Sequence, residues 1–167
     1  VRKSSDTYFI PFFDPTMPLN SAIVAYLHYL SFGLIFAALA LEHQTFKAEL
    51  TIKEAWRILI SDTIYGIAAI TVLITGGLRL MYFGQGPQFY SQNPVFWAKI
   101  AVFVVIGTLS LYPTISFLRW IKGLREENAP TISETQAKVI TGIIRTELAG
   151  FALIPLLASL MARGIGL

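Results

Sequence analysis

Four stretches of this chain are each long and apolar enough to cross a bilayer, which removes most of the folds otherwise open to 167 residues. From Ser21 to Leu41 the run is broken only by His28 and small hydroxyls. A second runs from Ile52 to about Phe83, a third from Pro94 to about Trp120, and a fourth from just after Thr131 or Ser133 to about Met161. A hydrocarbon core takes about 20 residues of helix to cross, and backbone polar groups there must be satisfied within the segment. The expected fold is therefore all-α: a polytopic membrane protein built as a four-transmembrane-helix bundle. Residues 1–18 are expected as an extramembrane N-terminal segment and residues 19–167 as the transmembrane domain. Composition agrees, since the chain is 54% apolar and 14% charged with a mean hydropathy of +0.61. A water-soluble domain this small could not bury so much apolar surface.

Local signals set the boundaries. Thr51 followed by Glu54 reads as a capping box opening helix two, and Pro94 suits the first turn of helix three. Gly84 to Pro94 and Lys122 to Ile132 have the composition of loops. Pro113 predicts a kink in the third helix, because it removes a backbone donor and crowds the preceding turn. Gly33 with Ala37, and Gly142 with Thr146 and Gly150, place small residues on helix faces where another helix could come close.

The net charge of +3 does not mark a nucleic-acid partner, because the basic residues sit singly near helix ends. The bilayer is the expected partner, with Lys and Arg anchoring the spans. Of the 13 Lys and Arg residues, eight flank the 1–2 and 3–4 connections and five lie on the other side. By the positive-inside rule those loops are expected to face the cytoplasm or stroma, and both termini the periplasm or lumen. There is no cysteine, so disulfides and thiolate sites are excluded. Residues 1–18 hold no short apolar run ahead of a small-residue cleavage site, so no signal peptide is expected within them. A leader removed ahead of Val1 would fit the missing methionine.

Ionisable side chains inside spans are costly, and each asks for a partner. Glu42, His43, Asp62, Arg145 and Glu147 mix signs, and Glu42, Asp62, Arg145 and Glu147 are expected to form structural ion pairs, with Arg145 bridging Asp62 or Glu147. His28, Arg79 and Lys99 are different. No Asp or Glu occurs between Asp62 and Glu126, and by helix rise His28 and Lys99 share a depth. Three basic groups without an acidic partner predict an anionic ligand: a phosphate, a carboxylate or the propionates of a tetrapyrrole. His28 could give an axial nitrogen to haem iron or chlorophyll magnesium. The plainer reading has His28 bonded to a neighbouring helix while Arg79 and Lys99 snorkel to headgroups. Two histidines fifteen residues apart cannot share a metal, so no dedicated zinc or di-iron site is expected.

Leu27-His28, Phe36-Ala37-Ala38, Leu41-Glu42-His43, the Asp62 to Arg79 helix, Phe96-Trp97-Ala98-Lys99 and Leu160 to Gly164 resemble a family of small four-helix membrane proteins of cyanobacteria and plastids. The resemblance covers most of residues 20–167. It implies the fold and a thylakoid or plasma-membrane address, and no activity. A more distant similarity runs to the HemJ-type protoporphyrinogen oxidases, which carry a Leu-His pair early in helix one and a Trp followed by Lys at the start of a later helix. It implies haem-associated roles for His28 and Lys99, with Trp97 beside them, and haem b or chlorophyll as the candidate cofactor. Were the chain an enzyme, it would then be a haem-dependent membrane oxidoreductase. Here Trp97 and Lys99 are closer than in that family, and Leu111-Tyr112-Pro113 replaces a more polar segment, so the expectation leans to a protein without catalysis.

The leading expectation is thus a membrane protein holding an anionic or tetrapyrrole ligand near the non-cytoplasmic face. The alternative is a non-catalytic accessory subunit of a photosynthetic complex, its aromatic Tyr8 to Phe13 segment and small-residue faces lying against other subunits.

Overall fold

The computed structural model describes residues 18–166, so the Tyr8 to Phe13 segment and nearly all of the expected extramembrane tail lie outside the described residues. Four membrane-length helical spans are present, covering Pro18–Thr45, Ile52–Phe83, Pro94–Arg125 and Glu134–Ala162. Helix α1 is the whole first span (Pro18–Thr45). The second begins with α2 (Ile52–Leu78) and closes in a π-helical turn, Arg79–Phe83. A short α3 (Pro87–Ser91) occupies the connection expected as loop, and Gly86 ahead of it takes φ 89°, a conformation other residues avoid.

Span starts follow the sequence signals. Thr51 Oγ1 accepts from Glu54 N at 3.3 Å while Glu54 Oε2 accepts from Thr51 N at 2.9 Å, the reciprocal capping box. Asn93 caps the third span by accepting from Val95 N at 2.9 Å, with Pro94 at the first position. Ser133 accepts from Gln136 N to open α7 (Glu134–Ala162).

The third span is more than kinked. It runs as α4 (Pro94–Leu109), α5 (Leu111–Leu118) and α6 (Ile121–Arg125), with its first interruption at Ser110. The cause is Pro113, which has no N–H to give the carbonyl four residues back, Leu109. Pro155 loses a bond in the same way inside α7, yet that helix continues, with Pro155 on its exposed side.

The spans form a ring in chain order. α1 packs along α2 and also touches α7, α4 packs on α7, and α2 meets the third span mainly through α5. Within the best apolar window of each span only 22% to 39% is buried, so lipid or other proteins must cover the rest. Two apolar clusters fill the interior. At the end bearing the 1–2 and 3–4 connections are Phe46, Ile58, Phe117, Trp120, Ile140 and Ile144; towards the other end are Ile35, Leu39, Tyr65, Val72, Ile106 and Phe151. In lipid such clusters gain from close van der Waals fit rather than from leaving water, so small residues matter where helices touch.

The expected small-residue faces divide on this point. A Cβ at Gly150 would lie 2.7 Å from Ile106 Cγ2, so this glycine lets α7 approach α4. Gly33 and Gly142 meet nothing within 4 Å and face outward. We expect Gly150→Leu to lower the thermal midpoint of the detergent-purified protein by an overpacking cost of about 1–3 kcal/mol, while Gly33→Leu leaves it unchanged. Equal midpoints for the two variants would refute this packing.

Candidate functional site

The ionisable residues inside the spans sort into two layers. Along α1, His28 and Glu42 are fourteen residues apart, about 21 Å by helix rise.

The basic layer stands at the end of α2 and the start of α4. His28 Nδ1 lies 2.9 Å from Thr75 Oγ1, and Thr75 spends its own proton on the Thr71 carbonyl at 2.6 Å. A hydroxyl has one proton to give, so Nδ1 is assigned as the donor, and the Val72 carbonyl is a further acceptor for the ring. Gly76 makes room for the ring, since a Cβ there would stand 3.4 Å from His28 Cε1. Arg79, opening the π-helical turn, lies over the Tyr29 ring with Cζ 4.9 Å from its centroid. Lys99 Nζ lies 5.3 Å from the centre of Phe96. Arg79 and Lys99 are within electrostatic reach of His28 and of each other. Aromatic faces offset part of a cation's cost but carry no net charge. Among the described residues the one ion pair is Lys47–Glu54 at 2.6 Å, at the opposite end, so no carboxylate answers Arg79 or Lys99. Trp97 stands apart: it is 55% exposed, and its Nε1 donates to the Ser91 carbonyl at 2.9 Å, tying α3 to α4.

The second layer differs from the expected set of ion pairs. Glu42, Asp62 and Glu147 are 2%, 6% and 1% exposed and influence one another electrostatically, but no cation joins them. Arg145 is exposed and bridges neither Asp62 nor Glu147. The physical reason is helical geometry: residues two apart point about 200° away from each other, so a buried Glu147 sends Arg145 outward. Asp62 is inside the bundle and accepts from Thr114 Oγ1 at 2.7 Å. Ser61 Oγ donates to the Ala38 carbonyl at 2.9 Å, and the buried Tyr65 reaches Ser110. Among the described residues Glu42 Oε1, Glu147 Oε1 and His43 Nδ1 have no hydrogen-bond partner.

Each span contributes to this polar layer between its two apolar stretches. Glu42 lies between Leu39 and Phe46, Asp62 between Ile58 and Tyr65, Thr114 between Ile106 and Phe117, and Glu147 between Ile144 and Phe151. The interruption at Ser110 falls at this level, four residues before Thr114. The sequence grouped these three acids with Arg145; the structure brings the acids together and leaves Arg145 outside, each acid sitting on the buried stripe of its helix. No three His, Asp or Glu residues among the described ones are arranged to hold a metal ion.

Fold and layers together define a polytopic α-helical membrane protein of four spans. The family described as "Predicted membrane protein (DUF2214)" matches residues 20–166, and the chain belongs to it. Comparison with curated proteins and with solved structures finds no match.

An ionised carboxylate without a partner in such a layer costs several kcal/mol. Replacing it by its neutral isostere should therefore cost little. We expect Glu147→Gln and Glu42→Gln to unfold in detergent within about 1 kcal/mol of the wild type or later, and Glu147→Lys to unfold far earlier. Strong destabilisation by both Gln variants would mean that the ionised acids hold an unseen cation.

Proposed function

We propose that this protein binds an anionic amphiphile at its basic layer, with Arg79 and Lys99 meeting the acidic groups and His28 Nε2 directed to the ligand. One observation carries the reading: three basic side chains share a level and have only neutral partners, Thr75, the Val72 carbonyl, Tyr29 and Phe96, among the described residues. Burying a positive charge without a counter-charge is costly, and an anion drawn from outside the chain removes that cost.

Of the anionic amphiphiles, a tetrapyrrole of the haem b or chlorophyll type uses the most of the layer. Its propionates would suit Arg79 and Lys99. An axial imidazole normally donates its second N–H to a nearby acceptor, and Thr75 already takes that role for His28. The residues present therefore fit the group. A bound tetrapyrrole would supply one-electron or light-absorbing chemistry; the chain's own part is to orient His28 and neutralise the acidic groups. The distant similarity to HemJ-type enzymes points the same way, and a membrane oxidoreductase is the activity it would imply. Binding without catalysis is our reading, in a thylakoid or plasma membrane, with the 1–2 and 3–4 loops on the cytoplasmic or stromal side. Trp97, engaged with Ser91, packs the wall rather than touching the ligand.

The test is the absorption spectrum of protein purified in detergent from a haem-replete host. A Soret band is expected, lost in His28→Ala and kept in His43→Ala, with Lys99→Ala lowering occupancy. A colourless preparation would rule out the tetrapyrrole.

One feature favours a second reading, an accessory subunit of a photosynthetic complex. Gly33 and Ala37 of α1 leave an outward strip with nothing within 4 Å of a Cβ at Gly33, suited to close approach by a helix of another subunit. Co-migration with a photosystem on a native gel, lost in Gly33→Leu, is its expected result. Migration of the native-membrane protein alone or as a homodimer would count against it.

A further inference from the structure

At the end remote from the basic layer, α7 carries Lys138, Thr141, Gly142 and Arg145 at the spacing i, i+3, i+4, i+7, which is one face of a helix over two turns. That face floors a groove of about 280 Å³ whose other wall is Lys47 and Ala48, from the connection between α1 and α2. Nothing stands within 4 Å of a Cβ at Gly142, so the middle of the groove is open. Lys138 lies four residues into α7, about 6 Å from its start, and Arg145 about 10 Å further towards the bilayer centre.

The charges in the groove are not answered alike. Lys47 is paired with Glu54 at 2.6 Å. Lys138 and Arg145 are exposed and have no ion pair among the described residues. Side chains on a helix lean towards its N-terminus, which for α7 is the connection end, so Arg145 leans towards Lys138 and the headgroup level. Two cations two turns apart can thus close on one anion at the interface, above a floor of small side chains.

We propose that this groove binds an anionic phospholipid, its phosphate held between Lys138 and Arg145 and its glycerol and upper acyl chain lying across Thr141 and Gly142. A free anion would use the two charges but not the apolar, open stretch at Gly142. A zwitterionic lipid would use the stretch but gain less from the charges. The combination selects a lipid that is both.

The proposal is tested on detergent-purified protein by thermal unfolding during titration with dioleoylphosphatidylglycerol, dioleoylphosphatidylcholine or inorganic phosphate. Half-saturation by phosphatidylglycerol is expected at a concentration about tenfold below that for phosphatidylcholine, equivalent to about 1.4 kcal/mol. Lys138→Gln combined with Arg145→Gln should erase that preference. Gly142→Leu, which meets open space, should abolish the saturable response to both lipids, and native mass spectrometry should show one retained phosphatidylglycerol lost in these variants. Arg119→Gln with Lys122→Gln, exposed and outside the groove, should leave the preference intact. The proposal is overturned by equal half-saturation for the two lipids, by a response to phosphate alone that matches phosphatidylglycerol, by an unchanged lipid count in Gly142→Leu, or by loss of the preference in the Arg119/Lys122 variant.

Discussion

Three carboxyl groups in the interior of a bundle, supplied with hydroxyls and no cation, set the terms for the rest of this structure. The polar layer of Glu42, Asp62, Glu147, Ser61 and Thr114 divides the interior into two apolar clusters, and all four helices must bring their polar side chain to that level at once. A shift of one helix by a single turn would move an acid about 5 Å into a cluster of isoleucine and phenylalanine. Burial of unpaired polar atoms is penalised far more than apolar mismatch, so the layer fixes the mutual height of the spans. Pro113 belongs to the same logic. By interrupting the third span at Ser110, it gives that helix freedom to bend where Thr114 meets Asp62.

The chain does not neutralise itself. Its acids and the bases of the other layer are separated by about 21 Å along α1, well beyond any direct ion pair. Among the described residues neither layer finds a counter-charge in the other. Thr75 shows how the fold settles the basic one. Its hydroxyl returns its proton to its own helix and so accepts from His28, which holds the ring in one orientation against Gly76.

What was legible in the sequence follows what depends on single segments. The spans, the Thr51–Glu54 box and the Pro94 start depend on composition and local spacing, and the structure has them where hydropathy and caps put them. The π-helical turn at Arg79 and the one-turn helix at Pro87 were not legible, because both answer to tertiary packing near Tyr29 and Tyr90. Hydrogen bonds between helices, such as His28 to Thr75 or Thr114 to Asp62, join residues roughly 50 positions apart and leave no local trace. The pairing of Arg145 with Glu147 was a misreading of a different kind. Charge sign suggested it, but the stripe Ile140, Ile144, Glu147, Phe151 and Ile154 already turned Glu147 inward and Arg145 outward.

That outward turn has a consequence for the molecule as a whole. With Arg145 outside, no cation is left at the acid layer, and positive charge gathers instead at two rims, Arg79 with Lys99 at one end and Lys138 with Arg145 at the other. A bundle positive at both rims fits a bilayer with phosphate on each surface. Had Arg145 joined Glu147 inside, one rim would have lost a charge, and the acid layer would have gained an internal cation.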